Sequence, residues 1–376
     1  LLKPRTGLPT RVADILMTVA LGALGGFCLN AVGMPAGWLC GSMIAVAAAS
    51  LLKLRVRVPN LLRDATFIVL GTSMGSALSP NTISDIQLWP VSIVILLVSV
   101  AATMAAGSFY LRRIHGWDAA TARLASVPGA LSAVLALATG TTANFPVVAL
   151  AQTLRQLMLV SLLPIALSFG AHGSPLHGAA TAPLADMAIM LAAGAAGSTL
   201  LGWLRVPGGR LVGAMLASGA LHVGGWVSGR LDPMLLLAAF VMTGAIIGSR
   251  FAGTRPELLL KTIRPAFIGT AIAIAISFGF ALLCQRLLGL PFAEIWLAYA
   301  PGGVEAMTVM AFALDLDPSY VSAHHVLRLL ALTLLSPLWT YSITSRRAQP
   351  QPESVLPRSP PHGTELPEPA PPGTRS

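Results

Sequence analysis

The sequence predicts an all-α polytopic integral membrane protein made of two tandem repeats, each with about five spanning helices and one broken or re-entrant helix. Three observations predict it. Apolar residues make up 55% of the 376 positions and charged residues only 10%, whereas a soluble domain carries about 25% charge to clothe its surface. Stretches such as residues 15–32 and 88–111 contain no charge at all, and roughly 20 such residues suffice to cross the hydrocarbon core. The third observation is that the chain repeats itself.

Displaced by 172 positions, Asp14, Gly22, Gly25, Pro35, Gly37, Gly41 and Met43 fall on Asp186, Gly194, Gly197, Pro207, Gly209, Gly213 and Met215. After a one-residue shift, Gly71 and Gly75 fall on Gly244 and Gly248, Pro128-Gly129 on Pro301-Gly302, Arg155 on Arg328 and Pro164 on Pro337. Shared apolar residues would say little in such a composition. Shared Gly, Pro, Asp and Arg in one order are not explained by hydrophobicity.

Residues 1–11 form a short N-terminal cytoplasmic segment, and repeat 1 covers 12–170. Its apolar segments lie near 14–33, 36–52, 65–80, 88–111, 119–140 and 146–169. Asp14 opens the first, where an acid offsets the helix dipole, and Gly71-xxx-Gly75 gives the third a small-residue packing face. The fifth is interrupted by Pro128-Gly129 and the sixth carries Arg155. Repeat 2, residues 184–344, follows the same order near 186–204, 209–228, 233–249, 265–285, 292–314 and 319–343. Asp186 opens it, Gly244-xxx-Gly248 marks its third segment, Pro301-Gly302-Gly303 interrupts its fifth and Arg328 sits in its sixth. Residues 345–376, rich in Pro with no apolar periodicity, read as a disordered tail.

The net charge of +10 gathers in short gaps: Lys53, Arg55, Arg57 and Arg63 in one, Arg112 and Arg113 in another, Arg346 and Arg347 after the last apolar run. Such clusters are what topology selection and anionic lipid contact produce. No helix carries a continuous basic face, so direct nucleic-acid binding is not expected. Six crossings per repeat would make the two copies parallel and put Arg250, Arg255, Lys261 and Arg264 opposite Lys53–Arg63. Five would invert the second copy and leave only Arg230 and Arg286 outside. The positive-inside count prefers inverted repeats with ten full crossings. The fifth segment is then the one that does not cross, because proline removes an amide donor and glycine frees the backbone in its middle. A proline kink in a continuous helix is the alternative.

Cys28, Cys40 and Cys284 all lie in apolar segments without metal-ligand spacing. No cleavable signal peptide is expected, because residues 15–32 lack a small-residue cleavage site and begin a repeat. No metal or other cofactor is expected.

An ionisable residue inside an apolar span costs roughly 2.5–3.5 kcal/mol, and few are present. Arg155 has Gln152 one turn before it and Gln156 beside it; Arg328 has His324 and His325 before it. Gln152/Arg155 and His325/Arg328 are each spaced to share a helix face. Glu305 follows the second break where the first copy has Ser132-Ala133. The functional reading gathers Pro128, Gly129, Pro301, Gly302, Gly303, Arg155, Arg328, Gln152, Glu305 and His325 into one polar site. Half-helices starting near Ala130 and Val304 would turn their amide-rich ends into it and favour an anion. Glu305 and His325 could exchange a proton. The structural alternative is that Arg328 pairs with Glu305, or with backbone carbonyls, to hold the fold.

The duplicated unit, the run Ala-Pro-Gly-Gly-Val-Glu-Ala-Met at 300–307 and His-His-Val-Leu-Arg-Leu at 324–329 resemble the AbrB family of bacterial membrane proteins. The resemblance covers about residues 12 to 343. The first copy departs from it, with Ser-Val-Pro-Gly-Ala-Leu-Ser lacking the acid and Gln152 in place of the histidine. It implies a multi-pass protein of the bacterial inner membrane and brings two labels, regulator of gene expression and ammonia monooxygenase. The residues themselves lead first to a secondary transporter or permease for a small, anionic solute moved with protons. A membrane-embedded regulator acting indirectly on expression comes second. A membrane-bound enzyme comes third and is disfavoured, since no metal-ligand cluster or nucleotide loop is visible. The partners expected are the lipid bilayer, the solute with its protons, and a second copy of the chain in a homo-oligomer.

Overall fold

The computed structural model describes residues 8–76, 89–129, 141–168 and 180–336. Within them thirteen α-helices follow one another. They are α1 (Leu8–Ala31), α2 (Gly37–Leu51), α3 (Asn60–Gly75), α4 (Trp89–Arg113), α5 (Ala119–Ser126), α6 (Phe145–Ser168), α7 (Leu184–Trp203), α8 (Gly209–Val223), α9 (Pro233–Gly248), α10 (Pro256–Leu288), α11 (Phe292–Tyr299), α12 (Val304–Ala313) and α13 (Pro318–Leu334). Six of the described helices are long and apolar enough to cross a membrane: α1, α4, α6, α7, α9 with the turn after it, and α10. The protein is a helical, multi-pass membrane protein. The half-helix expected from Ala130, Pro337 and the tail 345–376 lie outside the described residues.

Local chemistry sets several helix starts. Asp118, Asp232 and Asp317 cap α5, α9 and α13, each accepting backbone amides of the first turn. Proline occupies the first turn of α9, α10 and α13, where its missing N–H is not needed. Two expectations are corrected here. Asp14 does not open its helix: α1 begins at Leu8, nearly two turns earlier, because Pro9 suits a first turn as well as an acid does. The gap between the apolar segments ending at 249 and starting at 265 is not a loop throughout, being helical from Pro256 on. Pro256 and Glu257 start α10 there, and the helix runs 33 residues with Lys261 and Arg264 on its early turns and Pro265 inside. Hydropathy marks only the apolar part of a helix that continues beyond it.

The core forms where α2, α3, α8 and α9 cross, around Leu39, Met43, Leu70, Met74, Leu211, Met215 and Ile247. Glycines permit the approach. A Cβ on Gly71 would strike the Leu211 carbonyl and Ala214 of α8, and one on Gly244 would strike the Leu39 carbonyl and Ser42 of α2.

The segment 292–314 is interrupted in its middle. α11 stops at Tyr299, Ala300–Gly303 is non-helical, and α12 starts at Val304. The Asp317 amide then donates to Glu294 Oε1, 3.4 Å away at the beginning of α11. In the first half the Asn144 amide donates to Thr121 Oγ1 (2.8 Å), at the beginning of α5. Asn144 thus lies beside Thr121, and Asp317 beside Glu294.

Candidate functional site

The sixth helices, α6 and α13, present their arginines to the interrupted backbone. Arg155 donates through Nη1 to the Ala125 carbonyl (3.3 Å) and through Nη2 to the Val127 carbonyl (2.8 Å) and Gln152 Oε1. Arg328 donates through Nη1 to the Ala300 carbonyl (2.8 Å) and through Nη2 to the Gly302 carbonyl (2.6 Å) and His325 Nδ1 (2.6 Å). A broken helix exposes carbonyls that hydrocarbon cannot solvate, and a guanidinium fork with five donors is suited to collect them. Arg155 is 7% exposed and Arg328 0%, so both charges depend on these carbonyls. Among the described residues neither has a carboxylate at ion-pair distance, unlike Arg63 and Arg210, which both pair with Asp64. The structural alternative for Arg328 therefore resolves in favour of backbone carbonyls, and Glu305 is not its partner. Arg328 Nε stays buried without an acceptor.

His325 is fully committed. An arginine can only donate, so Nδ1 accepts from Arg328, and Nε2–H donates to the Leu297 carbonyl (3.1 Å). The ring is neutral, with no nitrogen left for proton exchange in this arrangement. Gln152 does the same work in the other half: Oε1 accepts from Arg155 while Nε2 donates to the carbonyls of Leu124 (3.0 Å) and Val127 (3.1 Å).

The two breaks come together. Gly129, Gln152, Thr153, Arg155, Gln156, Arg250, Pro301, Gly302 and Gly303 line one cavity with about 10 Å³ open to the centre of a water molecule, space for roughly one water. A Cβ on Gly129 would meet Leu329 of α13, and one on Gly303 would meet Gln156 of α6, so each break packs against the other half's sixth helix. Arg250 is exposed as a residue, yet its Nη1 donates to Gln156 Oε1 at 2.6 Å. It sits at the cavity mouth. Glu305 is partly exposed on the first turn of α12, and its carboxylate and Arg250 attract each other.

The family described as "Transition state regulatory protein AbrB" matches residues 38–344, which include both breaks and both arginine helices. The chain belongs to the AbrB family. Two relatives share its length. "Uncharacterized protein YhjN" of Bacillus subtilis (strain 168) is 28% identical over 355 residues, covering 86% of this chain and 92% of its own. "Putative regulator AbrB" of Escherichia coli (strain K12) is 27% identical over 316 residues, covering 82% of this chain and 90% of its own.

In this AbrB-family chain, six of the ten residues singled out from sequence line the cavity: Gly129, Gln152, Arg155, Pro301, Gly302 and Gly303. Pro128 adjoins it in the chain. Arg328 and His325 stand behind the second break and hold it. Glu305 sits beside the mouth. Sequence reasoning missed Arg250, Gln156 and Thr153 as lining groups. Thr153 and Gln156 carried a signal, since Gln152-Thr153-Leu154-Arg155-Gln156 is a polar patch in an apolar helix. Arg250 carried none that separates it from an ordinary charge in a short gap.

A second polar cluster also went unnoticed. His324 Nδ1–H donates to the Tyr320 carbonyl (2.8 Å), which leaves Nε2 of a neutral ring to accept from the Ser92 hydroxyl (2.9 Å). Ser92 Oγ in turn accepts from the Tyr320 hydroxyl (2.5 Å), and the Tyr299 hydroxyl donates to the Ser92 carbonyl (2.5 Å). The four are buried, and together they tie α4 to α11 and α13.

Proposed function

We propose that this AbrB-family protein is a secondary transporter of the bacterial inner membrane for a small anion, and that residues 12–170 and 184–344 are inverted copies of one unit. The observation that carries the reading is uncompensated positive charge at the cavity between the breaks. Arg155 and Arg250 line it and Arg328 lies directly behind it, with Glu305 the carboxylate at hand. Carbonyls and amides bond these guanidinium groups without neutralising them, and a bound anion would supply the missing negative charge. The first turn of α12 begins where Gly303 meets the cavity, which adds the positive end of a helix. Non-helical backbone inside a membrane protein is tolerated where it lines a polar cavity, and paired broken helices are a common form of transporter site.

The inversion is supported by the two fifth segments, each closing on its own entry point through Asn144–Thr121 and Asp317–Glu294. A fifth segment that returns to its entry side favours an odd number of crossings per copy. The reciprocal packing of Gly71 on α8 and Gly244 on α2 is what a twofold axis in the membrane plane would produce. Proton coupling, if the solute is moved with protons, falls to Glu305, since both nitrogens of His325 are occupied.

Arg328 is a poor probe of transport, because removing it frees carbonyls at the break. Arg250 is the better one. In proteoliposomes under an imposed pH gradient, labelled acetate, succinate, phosphate and chloride are offered in turn. Uptake of at least one is expected, with Arg250→Gln lowering it severalfold and Glu305→Gln removing its dependence on the gradient. No flux of any of them would sink the transporter reading. Saturable binding without flux would favour a membrane-embedded regulator, and the name of the Escherichia coli relative contains the word regulator.

A further inference from the structure

A groove far larger than the central cavity, about 580 Å³, runs between α4, α5 and α13. Its α4 wall is Leu97, Val100, Ala101, Met104, Ala105, Ser108, Phe109 and Arg112, spaced three and four apart along one face. Ala331 and Leu332 of α13, with Leu335 just after it, form the opposite wall, and Arg123 of α5 joins Arg112 at one end. Ala101 and Ala105 are exposed in it, as is Phe109. Ala101 and Ala105, with their small side chains, leave room along this face.

We propose that this groove holds one anionic phospholipid, with an acyl chain along Leu97–Phe109 and the headgroup phosphate at Arg112 and Arg123. Two independent features select that occupant. From Leu97 to Arg112 an α-helix rises about 22 Å, and half of a bilayer, headgroups included, is also about 20–22 Å thick. The groove therefore has the length of a single lipid leaflet. Its chemistry is divided in the same way: the positive groups stand at one end and apolar or small groups fill the rest, so charge and hydrophobicity both match a lipid in one orientation only. A soluble phosphate would satisfy the arginines and leave the apolar wall bare. The same end of α4 carries Arg113, and basic residues at the cytoplasmic boundary of a helix are where anionic headgroups concentrate.

The full chain in a non-ionic detergent is offered phosphatidylglycerol or phosphatidylcholine with matched acyl chains, and retained lipid is counted by native mass spectrometry. One phosphatidylglycerol retained in preference to phosphatidylcholine is the expected result, with glycerol 3-phosphate unable to displace it. Arg112→Gln should weaken retention roughly fivefold, as should Arg123→Gln, about what one basic residue near a membrane surface contributes. Ala101→Trp, which fills the floor and touches no charge, should abolish retention of the lipid while the helical circular dichroism is unchanged. Equal retention of the two lipids, wild-type retention in Arg112→Gln or Ala101→Trp, or displacement by glycerol 3-phosphate would overturn the proposal.

Discussion

His325→Gln should leave the protein folded, whereas His325→Ala should not leave it unscathed. The reasoning is geometric. His325 donates to a carbonyl 28 residues earlier and accepts from an arginine three residues later. Gln152 donates to a carbonyl 28 residues earlier and accepts from an arginine three residues later. Glutamine thus already performs this bridge in the other half of the same molecule. Truncation to alanine removes a bond to a charged donor, about 1.5–3 kcal/mol, and a neutral bond of the kind that contributes about 0.6–1.7 kcal/mol in membranes. The expected loss for His325→Ala is about 2–5 kcal/mol, against within about 1 kcal/mol for His325→Gln. Unfolding in mixed micelles with rising sodium dodecyl sulfate, followed by circular dichroism, measures both. Gln152→His and Gln152→Ala supply the reciprocal pair. If His325→Gln unfolds as easily as His325→Ala, the ring does something an amide cannot, and the equivalence of the two bridges is wrong.

The same unfolding assay tests the backbone. Ala36 sits at φ 51°, in the left-handed region, where Gly208 of the other half has φ 66°; Ala36→Gly should stabilise by about 1 kcal/mol, since that region costs a non-glycine residue about 1–2. Gly71→Val and Gly244→Val should each destabilise by at least about 1–3 kcal/mol, because even the Cβ meets backbone of the neighbouring helix. Similar losses in the two are expected, and a neutral outcome in either would mean that the helices part easily. A maleimide should modify one cysteine in the folded, detergent-solubilised protein and three after denaturation, since Cys28 is exposed while Cys40 and Cys284 are buried. Mass spectrometry counts the adducts, and three in the folded state would contradict the packing.

The membrane class was legible because hydropathy is a property of composition, and the family because the 300–307 and 324–329 motifs are specific. The breaks were legible too, since proline and glycine act on the backbone wherever they stand. Helix limits were less so. Pro256, Glu257, Lys261 and Arg264 look like a loop by hydropathy and are helix by backbone chemistry, as α10 shows. What the arginines bond to could not be read at all. Arg328 lies 23 residues after Glu305 and 26 after Gly302 in sequence, and sequence distance does not say that it chooses the carbonyl over the carboxylate. That choice depends on where a broken helix leaves its acceptors in three dimensions.

The pattern of agreement between the halves separates scaffold from site. At the shared offset, Arg155 matches Arg328, and Gln152 matches His325 with the same bonding, so the groups that hold the breaks occur twice. The groups at the cavity mouth do not. Arg250 corresponds in sequence to Ala77, Glu305 to Ser132 and Gln156 to Leu329. On the reading that 12–170 and 184–344 are copies of one unit, a merely structural role would have no reason to be one-sided. A polar mouth on one face of such a scaffold is the arrangement expected when a single solute must be met from one side and released to the other. On the transporter reading, the Arg250–Gln156 bond is then the contact that opening or closing that mouth has to make and break. Its place at the end of α9, against the middle of α6, makes the approach of those two helices the motion to look for.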